Sequence, residues 1–576
     1  MKECNMELLN QVWNGKESSP ATLVTSDQKS TVSSPKLSQG ASSIATWLVS
    51  KLAEVLELDV QEIDIHRDFT DYGLNSIEAV NLSGELENFL GHRLSPTLLW
   101  DHNNIEALAE YLAEYVAKQP TGNSQAHLET SSGRSIRETN GHISAKNGLI
   151  PNQDVEKLDN QDIPPEYHHF HLYPEYRKLQ LQQEEIKALG VNNPFFTPQE
   201  RVVNNTTEIG GRELINYATY NYLGMCGDPV VSQAAKEAID HYGTSACASR
   251  LLSGEKPLHR ELEKEIADFI GTEDSIVYVG GHATNVTTIS HLFGKNDLIL
   301  HDSLSHNSIL QGCILSGASI IAFPHNDCQA LEKILQERRH HYQRVLIVIE
   351  GVYSTDGDIP DLPQFIAVKK RHKAFLMVDE AHSIGVLGKH GRGVGEFCGV
   401  DPADVDLWMG TLSKSFASCG GYIAGCAAVV EYLKYTSPGF VYSVGIAPPN
   451  AASVLASIRL LKAEPERVAL LHQRAKLFLE LAQKQGLNTG TSKDSPVIPI
   501  IVGDALKSVQ LSQNLFKRGI NVPFMFYPSV PQNAARLRFF ITCNHTEEQI
   551  RFTVNTLAQE VAKLQQDDST QKSPLD

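Results

Sequence analysis

The chain has 576 residues, 41% hydrophobic and 20% charged, with a net charge of −18. That length suits three or four packed domains of a globular protein, and the negative balance argues against nucleic acid as the main partner. The amino terminus lacks the apolar core of a secretory signal, no apolar run is long enough for a membrane span, and none of the nine cysteines has C-x-x-C spacing. A cytoplasmic protein with reduced thiols and no bound metal is expected.

Residues 1–42 read as a disordered lead-in, rich in Ser, Thr, Pro, Lys and Gln from Glu17 onward. Order is expected from 43 to 118 as a small all-α bundle. Ile44, Trp47, Leu48, Leu52, Val55 and Leu56 form one helical stripe, Val80, Leu82, Leu86, Phe89 and Leu90 a second, and Ile105, Leu108, Ala109, Leu112 and Val116 a third. Between the first two lies D-F-T-D-Y-G-L-N-S-I-E-A-V, in which Asn75 and Glu78 predict an N-cap and its partner three residues on. Ser76 would then stand in the first turn with a free hydroxyl. The bundle resembles acyl and peptidyl carrier domains, and P-T-L-L-W-D-H-N-N-I-E-A-L-A-E-Y-L resembles the closing part of polyketide-type carriers. That resemblance implies 4'-phosphopantetheine on Ser76, a phosphopantetheinyl transferase to attach it, and polyketide or fatty-acid synthase enzymes to load it. Asn75 stands where carriers usually have Asp. The segment holds 14 acidic against 4 basic side chains, a net −10, which suits docking on basic partner surfaces.

Residues 119–164 collapse into Gln, Asn, Ser, Thr and Gly and read as a flexible linker. As a random coil of about 45 residues it would span roughly 35–40 Å end to end. Residues 165–215 are taken as an arm, 216–447 as a large domain, 448–566 as a smaller carboxy-terminal domain and 567–576 as a tail. In the large domain short apolar runs (Ser275–Val279, Leu298–Leu300, Ser319–Phe323, Val345–Ile349, Phe375–Val378) alternate with helical stretches, a βα pattern around a mainly parallel sheet. The smaller domain reads as long helices, strands at Val497–Val502 and Arg536–Ile541, and a closing helix capped by Thr546 and Gln549.

The stretch from Ala374 to Gly425 carries the chemistry. An apolar run ends at Asp379, His382 follows three residues on, and Lys414 sits in a small-residue loop behind Thr411. A carboxylate at a strand end, a nearby histidine and a loop lysine are the parts pyridoxal 5'-phosphate (PLP) needs: the lysine holds its aldehyde as a Schiff base and the acid keeps its pyridine nitrogen protonated. D-E-A-H is also a helicase box, but the chain has no G-K-[ST] phosphate loop.

From about Tyr217 to Lys563 the chain resembles the α-oxoamine synthases. The motifs are Y-N-Y-L-G, S-R-L-L-S-G, H-R-E-L-E, G-G-H-A-T-N, D-S-L-S-H-N-S-I, E-G-V-Y-S-T-D-G-D, D-E-A-H, G-T-L-S-K and A-R-L-R. The resemblance implies the α/β PLP-dependent transferase fold type I, and PLP held by Gly281, His282, Ser354, Asp379, His382, Thr411 and Lys414. His282 replaces the family's usual aromatic residue. It makes His306 the ring-stacking histidine, and Lys414 both the Schiff-base lysine and the base. Arg538 is implied as the carboxylate-binding arginine, with Arg536 as fallback and Asn221 as a further substrate-side residue.

The implied reaction condenses an amino acid (glycine, alanine or serine) with an acyl thioester, losing CO₂ and a thiol to give an α-aminoketone, in a homodimer. Tyr442–Gly445 is the expected cross-subunit contributor. The carrier suggests that the thioester rides on Ser76. A CoA-dependent synthase of the 8-amino-7-oxononanoate synthase or serine palmitoyltransferase type is the alternative; an aminotransferase and a non-catalytic carrier scaffold are further ones.

Overall fold

A computed structural model of the chain describes residues 39–56, 58–67, 69–72, 82, 86, 89–90, 104–117, 163–188, 195–526 and 529–571. Residues 1–38 of the expected lead-in, the Asn75–Ser76 helix start, most of the second carrier helix, residues 119–162 of the expected linker and the tail from 572 lie outside these residues. Two expected bounds are corrected: helix begins at Gln39 rather than 43, because Ala41 is fully buried in the small core, and the closing helix continues through 567–571, the expected start of the tail. Helices α1 (Gln39–Leu56) and α2 (Ile105–Ala117) carry the first and third predicted stripes. Ile44, Leu48, Leu52, Ile105, Leu108 and Leu112 are buried in one small core, joined by Leu82, Leu86 and Phe69. Trp47 stacks on Phe89 with ring centroids 5.0 Å apart.

Beyond it, strands β1 (Thr206–Ile209) and β2 (Arg212–Asn216) form a hairpin ahead of helix α3 (Pro257–Ile270). There follow β3 (Asp274–Tyr278), α4 (Gly281–Leu292), β4 (Leu298–Asp302), α5 (Asn307–Ser316), β5 (Ser319–Phe323), β6 (Val345–Glu350), β7 (Phe375–Asp379), β8 (Leu407–Thr411), β9 (Gly421–Gly425) and α6 (Ala427–Thr436). The sheet order is β3-β9-β8-β7-β6-β4-β5. β4 to β8 run parallel, while β9 is antiparallel to both β8 and β3.

The apolar runs are continuous rather than alternating because both faces of this sheet are covered. Val345, Ile347 and Ile349 of β6 enter one core, and Leu346 and Val348 enter the other. Two strands of this sheet, β8 and β9, have no counterpart among the predicted runs. β9, G-Y-I-A-G, has glycine at both ends and reads as loop, so the lysine "loop" is the connection of an antiparallel pair.

The carboxy-terminal part contains β10 (Val497–Gly503), β11 (Ile520–Asn521), β12 (Phe524–Met525), β13 (Ala535–Phe540) and α7 (Glu547–Gln571). β10, β13 and β12 form an antiparallel sheet, and β11 extends the hairpin parallel to β2. The predicted capping box is present: Thr546 N–H donates to Gln549 Oε1 (3.0 Å) and Gln549 N–H to Thr546 Oγ1 (3.2 Å). Among the described residues no helix is long and apolar enough to cross a membrane.

Glu263 of α3 ties three elements together. Fully buried, it meets Arg250 and Arg260 at 2.6 Å each and Lys434 of α6 at 3.2 Å, and accepts from the Val277 amide of β3 at 3.1 Å. Burial would raise its pKa, but the three cations outweigh that and hold it below the ordinary value. Removing one partner of such a buried group leaves uncompensated charge, so Glu263→Gln should cost about 3 kcal/mol, read as a lower urea midpoint. Because a lowered folded pKa stabilises above the unfolded value of about 4.5, the gap between wild type and variant should close as pH falls below it. Equal midpoints at neutral pH would refute this.

Candidate active site

Strand ends and helix starts of the large sheet converge on a cleft of about 540 Å³ at the carboxyl edge of the parallel strands, roofed by residues of β12, the 529 loop and β13. The sheet register sets its floor. Asp379 ends β7 and Glu350 ends β6, and the two are direct neighbours in the parallel pairing. Both are buried, at 4% exposure each. Asp379 accepts from the Ala381 amide (2.9 Å) and from Asn285 Nδ2 (2.8 Å). Burial, with Asp379 beside it, pushes Glu350 well above the usual carboxylate range; its Oε1 accepts the His306 amide at 2.6 Å.

Lys414 lies in the β8–β9 connection with its Nζ 5.4 Å from the Tyr220 ring centroid. Burial lowers its pKa to about 8, against the opposing pull of Asp379 and Glu350. The amine therefore keeps most of its protons at neutral pH but carries a neutral fraction far above that of an ordinary lysine, which grows as pH approaches 8.

His306 is the N-cap of α5 and accepts the Ser308 amide at 3.2 Å. A polar chain runs from it to Asp379. Ser308 Oγ lies 2.7 Å from His306 Nδ1, and Asn285 Nδ2 donates to both Ser308 Oγ (2.9 Å) and Asp379 Oδ2 (2.8 Å). With Asn285 donating, the serine proton is directed to Nδ1, which leaves the imidazole proton on Nε2. Burial, the largest influence, lowers the His306 pKa. His382 is held well below its ordinary value by burial, then by Lys414 and Arg538, and its Nδ1 lies 2.8 Å from the Tyr222 hydroxyl. The buried tyrosine keeps its proton and donates it there, so the His382 proton also falls on Nε2.

Opposite this floor is an anion cradle. Helix α4 starts at Gly281, and its N-cap, Gly280, brings no side-chain acceptor to the helix start. A Cβ on Gly281 would meet Thr411 Oγ1 at 2.7 Å, and one on Gly421 would meet the Gly281 Cα at 2.8 Å. Backbone thus packs directly on backbone, with the Thr411 hydroxyl, 2.8 Å from Ser413 Oγ, beside the helix start. Amides, dipole and hydroxyls together suit a phosphate. Buried atoms without a protein partner at the cleft, Asn285 Oδ1, Ser305 Oγ and Arg538 Nε, leave polar capacity for a ligand. The residue set therefore fits PLP.

At the other end the two arginines of β13 divide. Arg536 is buried and paired with Asp356, and also donates to Thr355 O at 3.3 Å, so the fallback arginine is committed within the fold. Arg538 lines the cleft; its Nη1 donates to Ser354 O (2.9 Å), and its guanidinium lies 4.6 Å from the Phe540 ring centroid.

The structure brings Lys414, His306, Asp379, Gly281, His282, Ser354, His382, Thr411 and Arg538 to this one cleft. It does not bring Asn221 there. That side chain donates to Val203 O and Cys226 O and accepts the Cys226 amide at 3.0 Å, so the turn consumes it and its neighbour Tyr220 faces the cleft instead. Ser76 lies outside the described residues. Sequence reasoning passed over Glu350, Asn285, Ser308 and Tyr220. The signal for Asn285 was present: it lies four residues after Gly281, on the same face of α4 one turn on.

Residues 212–557 match the family model "Aminotransferase class I and II", and residues 46–112 match "Phosphopantetheine attachment site". The chain is 39% identical over 342 residues to the 8-amino-7-oxononanoate synthase of Symbiobacterium thermophilum, which covers 59% of this chain and 87% of the relative. It is 38% identical over 362 residues to serine palmitoyltransferase 3 of Caenorhabditis elegans, covering 60% and 71%. Among solved structures, the Sphingomonas wittichii serine palmitoyltransferase superposes with a TM-score of 0.65 at 35% identity, over 68% of this chain and 98% of that one. With the fold, the cleft and these matches in agreement, the chain belongs to the aminotransferase class I and II family, in its α-oxoamine synthase branch, and bears a phosphopantetheine-attachment domain on its amino-terminal side.

Proposed function

We propose that the chain is a PLP-dependent C-acyltransferase that condenses an amino acid with an acyl thioester, releasing CO₂ and a thiol, to give an α-aminoketone. The observation that carries this reading is the meeting, in one cleft, of a lysine amine pushed down to about 8, a buried carboxylate and a helix-start anion cradle. When bound, PLP supplies an aldehyde for amines and a cationic ring that accepts electron density from the substrate Cα.

The chain's own residues take the following roles. Asp379, fixed by two donors, holds the proton of the ring nitrogen. His306 would face the ring, and His382 and Ser354 would hold its oxygen, His382 through the Nε2 proton that its contact with Tyr222 leaves free. Gly281, His282 and Thr411 hold the phosphate. Arg538 holds the substrate carboxylate, and Lys414 takes the Cα proton as its neutral amine. Glycine, alanine and serine are the candidate amino acids.

We read the thioester as carried on 4'-phosphopantetheine at Ser76, loaded by polyketide or fatty-acid synthase enzymes in the cytoplasm. The attachment-site match over 46–112 and the net −10 of residues 43–118 support this over free acyl-CoA. A linker of the length expected for 119–164 would raise the local concentration of the carried acyl group without tight docking. We also read the synthase part as a homodimer. Tyr442 and Leu252 are 88% and 84% exposed, and Gly445 packs against Arg250 of the motif that bears Leu252, so these apolar groups border one surface.

Five measurements test this. Lys414→Ala should abolish the visible absorbance that borohydride bleaches in PLP-loaded protein, and capture of PLP by wild-type apo-protein should quicken as pH rises through about 8. A variant that keeps the reducible linkage would refute the lysine's role. Ser76→Ala should block addition of the phosphopantetheine mass, and deleting Met1–Pro120 should spare PLP binding but abolish condensation at low carrier-substrate concentration. If the truncated enzyme turned over acyl-CoA as fast as the intact loaded protein makes product, the enzyme is CoA-dependent. Finally, Tyr442→Glu should shift sedimentation from dimer towards monomer with loss of activity; a fully active wild-type monomer at nanomolar concentration would rule the dimer out.

A further inference from the structure

His325 lies in the loop after β5 and takes no part in the mechanism above. Its ring is nevertheless held at both nitrogens by carboxylates. Nδ1 lies 2.9 Å from Asp302 Oδ1 and Nε2 lies 2.7 Å from Asp358 Oδ2. The neighbouring Asn326, at φ +54°, repeats the bridge: its amide donates to Asp302 Oδ2 (2.8 Å) and its Nδ2 to Asp358 Oδ2 (2.8 Å). Tyr353 packs its ring edge-on at 4.5 Å.

The two carboxylates belong to different loops of the cleft. Asp302 ends β4 and also accepts the Leu304 amide (2.8 Å), which shapes the turn that delivers Ser305 and His306. Asp358 closes the loop of Tyr353 to Asp358, pinned by the Tyr353 amide on Asp358 O (3.1 Å). That second loop contains Ser354, whose carbonyl receives Arg538, together with Thr355 and Asp356, which receive Arg536. We propose that His325 is a positioning residue, clamping the loop that presents His306 to the loop that seats Arg538 and so fixing the spacing between the ring-facing and carboxylate-holding ends of the site.

The charge follows from the bonding. An imidazole that donates to two carboxylates must carry both protons and be cationic. Burial alone would lower its pKa, yet the bonds and charges of Asp302 and Asp358 raise it to about 10. Removal of the cation would leave two facing carboxylates, one of them fully buried, free to repel. The loops would then part, and small displacements of positioning groups cost rate steeply.

The inference rests on the reading of the cleft as a PLP and amino-acid site, and the test separates the two. PLP dissociation constants, amino-acid dissociation constants from the visible spectrum, and melting temperatures would be measured for wild type, His325→Gln and the double variant His325→Gln/Asp358→Asn. His325→Gln should weaken amino-acid binding roughly tenfold or more and lower the melting temperature. The double variant, which removes the repulsion but not the lost bridge, should regain melting temperature while amino-acid binding stays weak. Recovery of both would make His325 merely structural and overturn the proposal, as would amino-acid binding by His325→Gln within twofold of wild type. Should His325→Gln fail to fold, Asp358→Asn alone, which keeps an acceptor for Nε2 without its charge, is read against the same twofold limit. Failure of wild type itself to bind PLP would overturn the reading of the cleft, and the proposal with it.

Discussion

Two carboxyl groups end adjacent parallel strands at the floor of a buried cleft, and the rest of the site answers that constraint. Glu350 and Asp379 are neighbours by register, so they cannot be moved apart without shifting a strand. Like charges at that spacing in a poorly hydrated place cannot both persist unaided. Glu350 yields, its proton retained by burial and by its neighbour, while Asp379 receives the Asn285 amide and a backbone N–H. Lys414 feels both acids and the same desolvation, and desolvation wins. The lowered lysine and the raised Glu350 thus share one cause.

The roof obeys a different logic. β13 sends two arginines towards the same loop, and only one meets a carboxylate there. Asp356 engages Arg536, while Arg538 meets no acidic side chain among the described residues and faces the cleft. A pair that looks redundant in A-R-L-R is divided between a cation paired within the fold and one presented to the cleft. Arginine suits both because its fork reaches carbonyl and carboxylate together.

What was legible in the sequence follows from how local each cause is. A strand that ends on a polar residue, as at Asp379, and a capping box, as at Thr546 and Gln549, are encoded within a few residues, and both are present. The glycines of G-G-H-A-T-N, Gly280 as N-cap and Gly281 as first residue of α4, are encoded as locally. β9 was not, because its identity lies in the partners on either side of it rather than in G-Y-I-A-G itself. The pairing of β11 with β2 joins positions some 300 residues apart and leaves no local trace. Asn221 misled because a carboxamide beside a motif tyrosine reads as a binding group, whereas three backbone bonds consume it. Arg538 is the expected binding arginine with Arg536 as fallback, and nothing local shows that Asp356, 180 residues distant in sequence, engages the fallback.

The packing of Gly421 on Gly281 bears on how this site could diversify. Where a Cβ would have to sit 2.8 Å from another residue's Cα, no neighbouring rotamer can give way, so the position admits one amino acid whatever is selected. The Gly281–Gly421 end of the cleft is in that sense frozen. The opposite end is walled by side chains, among them Met525, whose unbranched chain repacks readily, and Ser529, which is exposed. Libraries aimed at a new amino-acid partner would therefore find their usable variation beneath the roof, and an enzyme built this way can exchange substrates while its cofactor seat stays as it is.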